Sequence, residues 1–172
     1  MSSSELLIDA VDRIQQVVHS AIKGAGRETL TYRPDADANS IAWLVWHITR
    51  VQDGHVADAF DADELWTSDG WAGRFALPFD DAASGYGQSS DEVAAVQVDA
   101  ELLGGYHDAV HDRTVRLLQG VTDADLERVV DESWDPPVTL AVRLISLISD
   151  DLQHAGQASY VRGLAKRAGV DG

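Results

Sequence analysis

Apolar residues recur at helical spacing over four long stretches of this 172-residue chain, and no stretch alternates with the two-residue period of a strand. Gly24 is placed to end the first helix, and Asn39 or Ser40 is placed to cap the second. The third helix is expected to break near residue 98. The pattern predicts an all-α four-helix bundle with long connections after helices 2 and 3. The predicted helices cover residues 5–23, 39–60, 90–120 and 139–166.

The two long connections differ in composition. Residues 61–90 are aromatic, acidic and glycine-rich, which is typical of a loop that is functional or packed on its own side chains. Residues 121–138 form the second connection and end in two prolines. The length and the absence of a linker-like tract predict a single domain over residues 1–172.

Composition and charge exclude several classes of function. The chain has no cysteine, so disulfides, thiolate metal sites and a cysteine nucleophile are excluded. Its 13 basic and 29 acidic residues give a net charge of -16, which disfavours nucleic-acid and membrane partners. The chain also lacks a signal-like N-terminus and any apolar run near the roughly 20 residues that span a bilayer, so a cytoplasmic protein is expected.

The last predicted helix carries polar residues on its apolar side. His154 lies within the apolar arc, Asp150 lies near its edge one turn earlier, and Asp151 lies inside it. Desolvating an unpaired charge is costly, and a divalent cation would satisfy these groups. Asp150 and His154 project side by side at i and i+4. The residues that define the arc are Leu140, Leu144, Leu147, Ile148, Ala155, Ala158 and Val161.

The second predicted helix offers a partner ligand, because His47 lies on it one turn from Leu44 and Val51. Two imidazoles and one carboxylate would leave positions open on the metal, as in a catalytic zinc site, although nickel, iron or manganese accept the same ligands. Alternatives remain open at this point. In one alternative, His154 is a hydrogen-bonded core residue. In another, His154 pairs with Asp150 and no metal is bound.

Four further histidines are weaker candidates. His107 and His111 form a rival i, i+4 pair, but they lie among charged residues and are expected to be largely solvated. His19 and His55 are expected to be surface or packing residues.

Four segments together resemble the DinB-like superfamily, in the branch of mycothiol-dependent enzymes that includes mycothiol transferases and maleylpyruvate isomerase-like proteins. They are Ser-Ile-Ala-Trp-Leu-Val-Trp-His-Ile at 40–48, Leu-Trp-Thr-Ser-Asp-Gly-Trp at 65–71, Asp-Asp-Leu-Gln-His-Ala-Gly-Gln at 150–157 and Tyr-Val-Arg-Gly-Leu at 160–164. The likeness extends over essentially the whole chain, and the order and separation of these segments carry it.

The resemblance implies a metal held by His47, Asp150 and His154. Relatives have histidine or glutamate at the position of Asp150, and aspartate is one methylene shorter than glutamate, so Asp151 is kept as an alternative third ligand. The resemblance further implies zinc or nickel, a low-molecular-weight thiol as cosubstrate, and a homodimer.

The leading functional hypothesis is a metal-dependent enzyme that activates a mycothiol-like thiol for transfer to, or isomerisation of, a small electrophile. The catalytic residue is left unknown, because the metal itself would lower the pKa of a bound thiol or water. The alternatives are a metal-dependent hydrolase that uses hydroxide and a non-catalytic metal-binding stress-response module. Arg162 is a candidate anchor for an anionic substrate, and the candidate pocket walls, which equally suit core packing, are Trp46, Trp66, Trp71 and Tyr106.

Overall fold

The computed structural model describes residues 1–170, and its four long helices pack into a bundle, which confirms the predicted all-α fold. Among these residues, no helix is both long and apolar enough to cross a membrane. The long helices are α1 (Ser3–Ile22), α3 (Ile41–Ala59), α7 (Ala100–Leu118) and α8 (Leu140–Arg167). The connections contain α2 (Arg27–Thr31), α4 (Leu65–Ser68), α5 (Trp71–Phe75), α6 (Ser90–Ala95), a 3₁₀ turn (Asp125–Glu127), β1 (Val129–Asp131) and β2 (Val138–Thr139).

Side-chain caps fix where the long helices begin. The hydroxyl of Ser40 accepts a hydrogen bond from the backbone amide of Trp43, and so sets the first turn of α3. The carboxylate of Asp99 caps α7 in the same way. The predicted third helix is therefore two helices, α6 and α7, separated at Val96–Asp99 as the break near residue 98 anticipated.

The connections hold more regular structure than the sequence indicated. The short helices α2, α4 and α5 were not predicted, and neither was a pair of short strands. β1 and β2 pair antiparallel and form a small hairpin directly before α8. Strands of three and two residues are too short for a two-residue alternation to be detected.

Helix α3 is buried on nearly every side, with 15 of its 19 residues inside the protein. It contacts α7 and α8 in the bundle, and the connection between α3 and α6 covers its remaining face. Polar side chains on α3 are therefore forced to find partners inside the protein. His47, Arg50 and Asp53 are the ones that matter most for the site.

Asp53 is a fully buried carboxylate that ties three elements together. Its oxygens accept hydrogen bonds from the amides of Leu65 and Trp66, at 3.0 and 2.8 Å, and so cap α4. They also accept from the hydroxyl of Tyr106 at 2.7 Å and from the guanidinium of Arg113, both on α7. The connection is thereby fastened to the bundle through one side chain.

We expect the change Asp53→Ala to lower the free energy of unfolding by about 3–5 kcal/mol, because it removes the carboxylate that pairs with a buried guanidinium and accepts hydrogen bonds from two helix-terminal amides. Urea unfolding followed by far-ultraviolet circular dichroism measures this loss. The control is Asp9→Ala, which removes an exposed ion pair with Arg13 and should change stability little. Equal losses in the two variants would contradict the role given to Asp53.

Candidate metal centre

The structure brings together the three residues that the sequence singled out as ligands. His47 on α3 faces Asp150 and His154 on α8, and one ligand atom from each lies within 4.8 Å of the others. The Nε2 atom of His47 is 3.8 Å from one carboxylate oxygen of Asp150, and the Nε2 atom of His154 is 3.5 Å from the other. Within residues 1–170, this is the one group of three or more histidine or acidic side chains with such spacing.

Hydrogen bonds on the far side of each imidazole determine which nitrogen faces the cluster. The Nδ1–H of His47 donates to the carbonyl of Ser84 at 2.5 Å, and the Nδ1–H of His154 donates to the amide oxygen of Gln157 at 2.8 Å. In the neutral rings, the Nε2 lone pairs therefore point toward Asp150. Such outer partners are typical of histidines that bind metals.

The resulting arrangement fits a divalent cation. When both rings are neutral, two nitrogen lone pairs face a carboxylate, and one oxygen of Asp150 is buried without a hydrogen-bond partner. Burial lowers the pKa of the His47 imidazole, which keeps this ring in the neutral form that coordinates metal. The donors, two imidazoles and one carboxylate, are those of catalytic zinc sites.

The ring of His47 is held from the side as well. Trp43 stacks on it with ring centroids 4.7 Å apart and planes 12° from parallel. Gly85 lies against the same ring with φ +101°, and a Cβ atom there would lie 2.8 Å from Nδ1 of His47 and 2.9 Å from Trp43. Only glycine accepts both the positive φ and the close contact.

Arg50 holds the backbone segment that supplies the Ser84 carbonyl. Its guanidinium donates to the carbonyls of Asp81 and Ala83, each at 3.2 Å, and to the carboxylate of Glu64 at 2.7 Å. Sequence reasoning missed Arg50 and Ser84. Ser84 acts through its backbone oxygen, so its side chain carries no signal, and Arg50 is one of several arginines in the chain.

The cluster opens into a cavity of about 380 Å³, which we call the proximal cavity. His55 lines this cavity, although the sequence indicated only a surface or packing role. The lining residues are His47, Val51, His55, Ser84, Tyr86, Ser146, Leu147 and Asp150.

Asp151, the alternative third ligand, lies outside the cluster. Its side chain is fully buried, and neither carboxylate oxygen has a hydrogen-bond partner. Burial raises the pKa of the Asp151 carboxyl well above its ordinary value, which favours the neutral acid.

The other candidate substrate-binding residues do not line the proximal cavity. Trp46 is buried against Trp66 and Phe79, and Tyr106 is buried in the core. Arg162 donates a hydrogen bond to the carbonyl of Ala21 at the end of α1.

The expectation that His107 and His111 are largely solvated is wrong. Their exposed fractions are 1% and 8%, because α7 packs against α1 on one side and α3 on the other. His107 bonds to the hydroxyl of Thr49, and His111 bonds to Asp12. Burial lowers the pKa of His107 to about 3, so its ring is a neutral core residue.

Comparison with known proteins gives a matching family and a similar solved structure. The family model described as mycothiol-S-transferase matches residues 6–166. A crystal structure of a conserved protein from Enterococcus faecalis is similar, with 31% sequence identity and a TM-score of 0.87, covering 94% of this chain and 96% of that one. No curated protein matches the chain.

We expect Gly85→Ala to weaken metal binding by about 10–100-fold, because the new methyl group displaces the ring of His47 from its hydrogen bond to Ser84. Isothermal titration of metal-free protein with Zn²⁺ measures the affinity. The matched control is Gly87→Ala, since Gly87 also has a positive φ, +72°, but no atom lies within 4 Å of its added Cβ. If both variants lose affinity equally, backbone strain and not contact with His47 is responsible.

Metal content tests the cluster directly. We expect His47→Ala and His154→Ala to remove the bound metal that plasma mass spectrometry detects in the purified wild-type protein, because each change deletes one of three ligands. His19→Ala is the control, since His19 bonds to Asp108 away from the cluster. Equal metal content in all four proteins would exclude the site.

Proposed function

The chain belongs to the mycothiol-S-transferase family, and on this premise we propose that it is a metal-dependent enzyme that transfers the sulfur of mycothiol to a small electrophile. The observation that carries the proposal is the family match over residues 6–166. The geometry of His47, Asp150 and His154 supports it, because the cluster suits a cation with open positions for a ligand.

These three residues would hold the metal, with zinc as the first candidate and nickel as the second, since both accept imidazole and carboxylate ligands. A divalent cation there supplies Lewis acidity, which lowers the pKa of a coordinated thiol and favours the nucleophilic thiolate form. Ser84 and Gln157 orient the two imidazoles, and Trp43 covers one face of the His47 ring.

The reacting sulfur must come from a cosubstrate, because the chain contains no cysteine. In a displacement, the thiol releases its proton to solvent, sulfur forms a bond to carbon, and the leaving group departs with its electron pair. In an addition to an alkene, the same bond forms and a proton is returned to the neighbouring carbon. Reversal of such an addition after bond rotation gives cis–trans isomerisation.

The proximal cavity has room for this reaction. Its volume of about 380 Å³ is within the range of small-molecule sites, and Val51 and Leu147 give it apolar walls that suit an uncharged electrophile. Tyr86, with 95% of its surface exposed, lies at its edge.

The proposal includes the setting of the enzyme. We place it in the cytoplasm, where thiols stay reduced, as a single domain that forms a homodimer. Large exposed apolar side chains on α1 and α8, among them Leu6, Ile145 and Leu152, favour such an interface.

We expect Zn²⁺-loaded protein to accelerate formation of the fluorescent conjugate of mycothiol and monochlorobimane, and His154→Ala to reduce the rate by about 100-fold or more. Conjugate fluorescence measures the rate, and His19→Ala serves as the active control.

Other outcomes would contradict this function in different ways. Hydrolysis of esters or amides without added thiol indicates the hydrolase. Thiol-dependent interconversion of cis and trans alkenes without conjugation indicates an isomerase. Metal binding with no turnover for any thiol and electrophile indicates a non-catalytic module.

A further inference from the structure

His55 lines the proximal cavity at a distance from the metal cluster. It lies eight residues after His47 on α3, which is about 12 Å along the helix axis. Helices α3 and α8 pack against each other, and Arg143 lies about two turns before Asp150 on α8. His55 contacts Arg143 as His47 contacts Asp150, so the two helices are antiparallel here. The same helix pair therefore carries the metal cluster and, two turns away, the pair of His55 and Arg143.

Arg143 fixes the position of the proton on His55. Its guanidinium lies 3.3 Å from Nδ1 of the imidazole. A guanidinium only donates, so Nδ1 must accept, and the proton of the neutral ring is on Nε2. Arg143 is itself held by Asp58 of α3 at 3.0 Å and Asp131 of β1 at 2.9 Å, and only 13% of its side chain is exposed. The structure thus enforces one tautomer of His55.

The charge state of His55 limits what this ring can do. Burial lowers the pKa of its imidazole and the guanidinium of Arg143 lowers it further, against the opposing effect of the Asp150 and Asp58 carboxylates. The ring is therefore uncharged at neutral pH. With Nδ1 occupied and Nε2 protonated, it has no free lone pair and cannot act as a general base. It can only donate a hydrogen bond.

The Nε2–H group of His55 is available to a molecule in the cavity. Among residues 1–170 it has no acceptor, and Nε2 is not one of the enclosed nitrogen atoms. The neighbouring walls of Val51 and Leu147 are apolar. A fixed donor in such surroundings stabilises developing negative charge more strongly than water does. Neutral imidazoles serve in this way where an enolate oxygen forms.

We propose that the Nε2–H group of His55 donates a hydrogen bond to the oxygen that becomes negatively charged when sulfur adds to a conjugated carbonyl compound. His55 is then a catalytic residue, and Arg143 is its positioning residue. The inference rests on the proposed function. It adds a catalytic group from the chain itself and a preference for electrophiles that react through an oxyanion.

The step balances without a change of charge on His55. Sulfur forms a bond to the β-carbon, and the electrons of the double bond move through the conjugated system to the carbonyl oxygen, which gives an enolate. The thiol proton has passed to solvent, and His55 keeps its own proton throughout. Water then protonates the α-carbon and the carbonyl group forms again. In a displacement at saturated carbon, the halide takes the electron pair, so no oxyanion forms.

Kinetics with two electrophiles, mycothiol and Zn²⁺-loaded protein test the role of His55. We expect His55→Phe to lower kcat for trans-4-phenyl-3-buten-2-one by about 100-fold, and to change kcat for 4-nitrobenzyl chloride by less than about twofold, because only the ketone forms an oxyanion. His55→Gln keeps an N–H donor and should recover part of the loss. His19→Phe is the matched control, since His19 bonds to Asp108 outside the proximal cavity.

The outcomes separate this inference from the proposed function. If His55→Phe changes kcat equally for the two electrophiles, or changes neither value, the role of His55 is overturned and the proposed function stands. If the wild-type protein conjugates neither electrophile, the proposed function fails and the inference fails with it.

Nuclear magnetic resonance of the imidazole nitrogens tests the positioning by Arg143 without turnover. We expect His55 of the wild-type protein at neutral pH to carry its proton on Nε2 and none on Nδ1. Arg143→Met should give a mixture of the two tautomers, because Nδ1 loses its donor. Arg13→Met, which removes an exposed ion pair with Asp9, should leave the tautomer unchanged. A proton on Nδ1 in the wild-type protein, or an unchanged tautomer in Arg143→Met, would overturn the inference.

Discussion

In their neutral forms, the imidazoles of His47 and His154 direct lone pairs at the carboxylate of Asp150, 3.8 and 3.5 Å away, between α3 and α8. The arrangement is unfavourable without a cation, and a polar or charged group in such a place is costly unless it is paired. The surroundings hold it in place from several sides: a backbone carbonyl, a side-chain amide and a stacked indole fix the two rings. The packing of α3 against α8 and the chemical character of the site are therefore determined by the same contacts.

The arrangement of these contacts depends on how deeply α3 is buried. A helix enclosed on nearly every side cannot leave polar side chains in solvent, so each one organises its neighbours. Asp53 fastens α4 and α7, and Arg50 fastens the segment that contains Ser84. The connection after α3 is thus structured by residues of the helix that it covers. Stability and site geometry are linked through these contacts.

Much of this could be read from the sequence, for reasons that are local. Helix spans follow from apolar spacing and capping residues, and His154 stood out because it interrupts an apolar arc that continues on both sides. The features that could not be predicted from the sequence depend on contacts between segments that are distant in the chain. The carbonyl of Ser84 has no side-chain signature, and His107 lies among charged residues along the chain but between two helices in space. His55 shows the same limit, because the proximal cavity that it lines is formed by segments that are far apart in the chain.

The pairing of Arg143 with Asp58 and Asp131 ties the hairpin before α8 to the bundle. The ligands of the candidate metal centre come from the bundle helices, whereas the loop of this hairpin, residues 132–137, lies outside the core. Surface loops tolerate substitution and insertion far better than buried helices. Substitutions and insertions in this loop are thus expected to leave the cluster of His47, Asp150 and His154 in place.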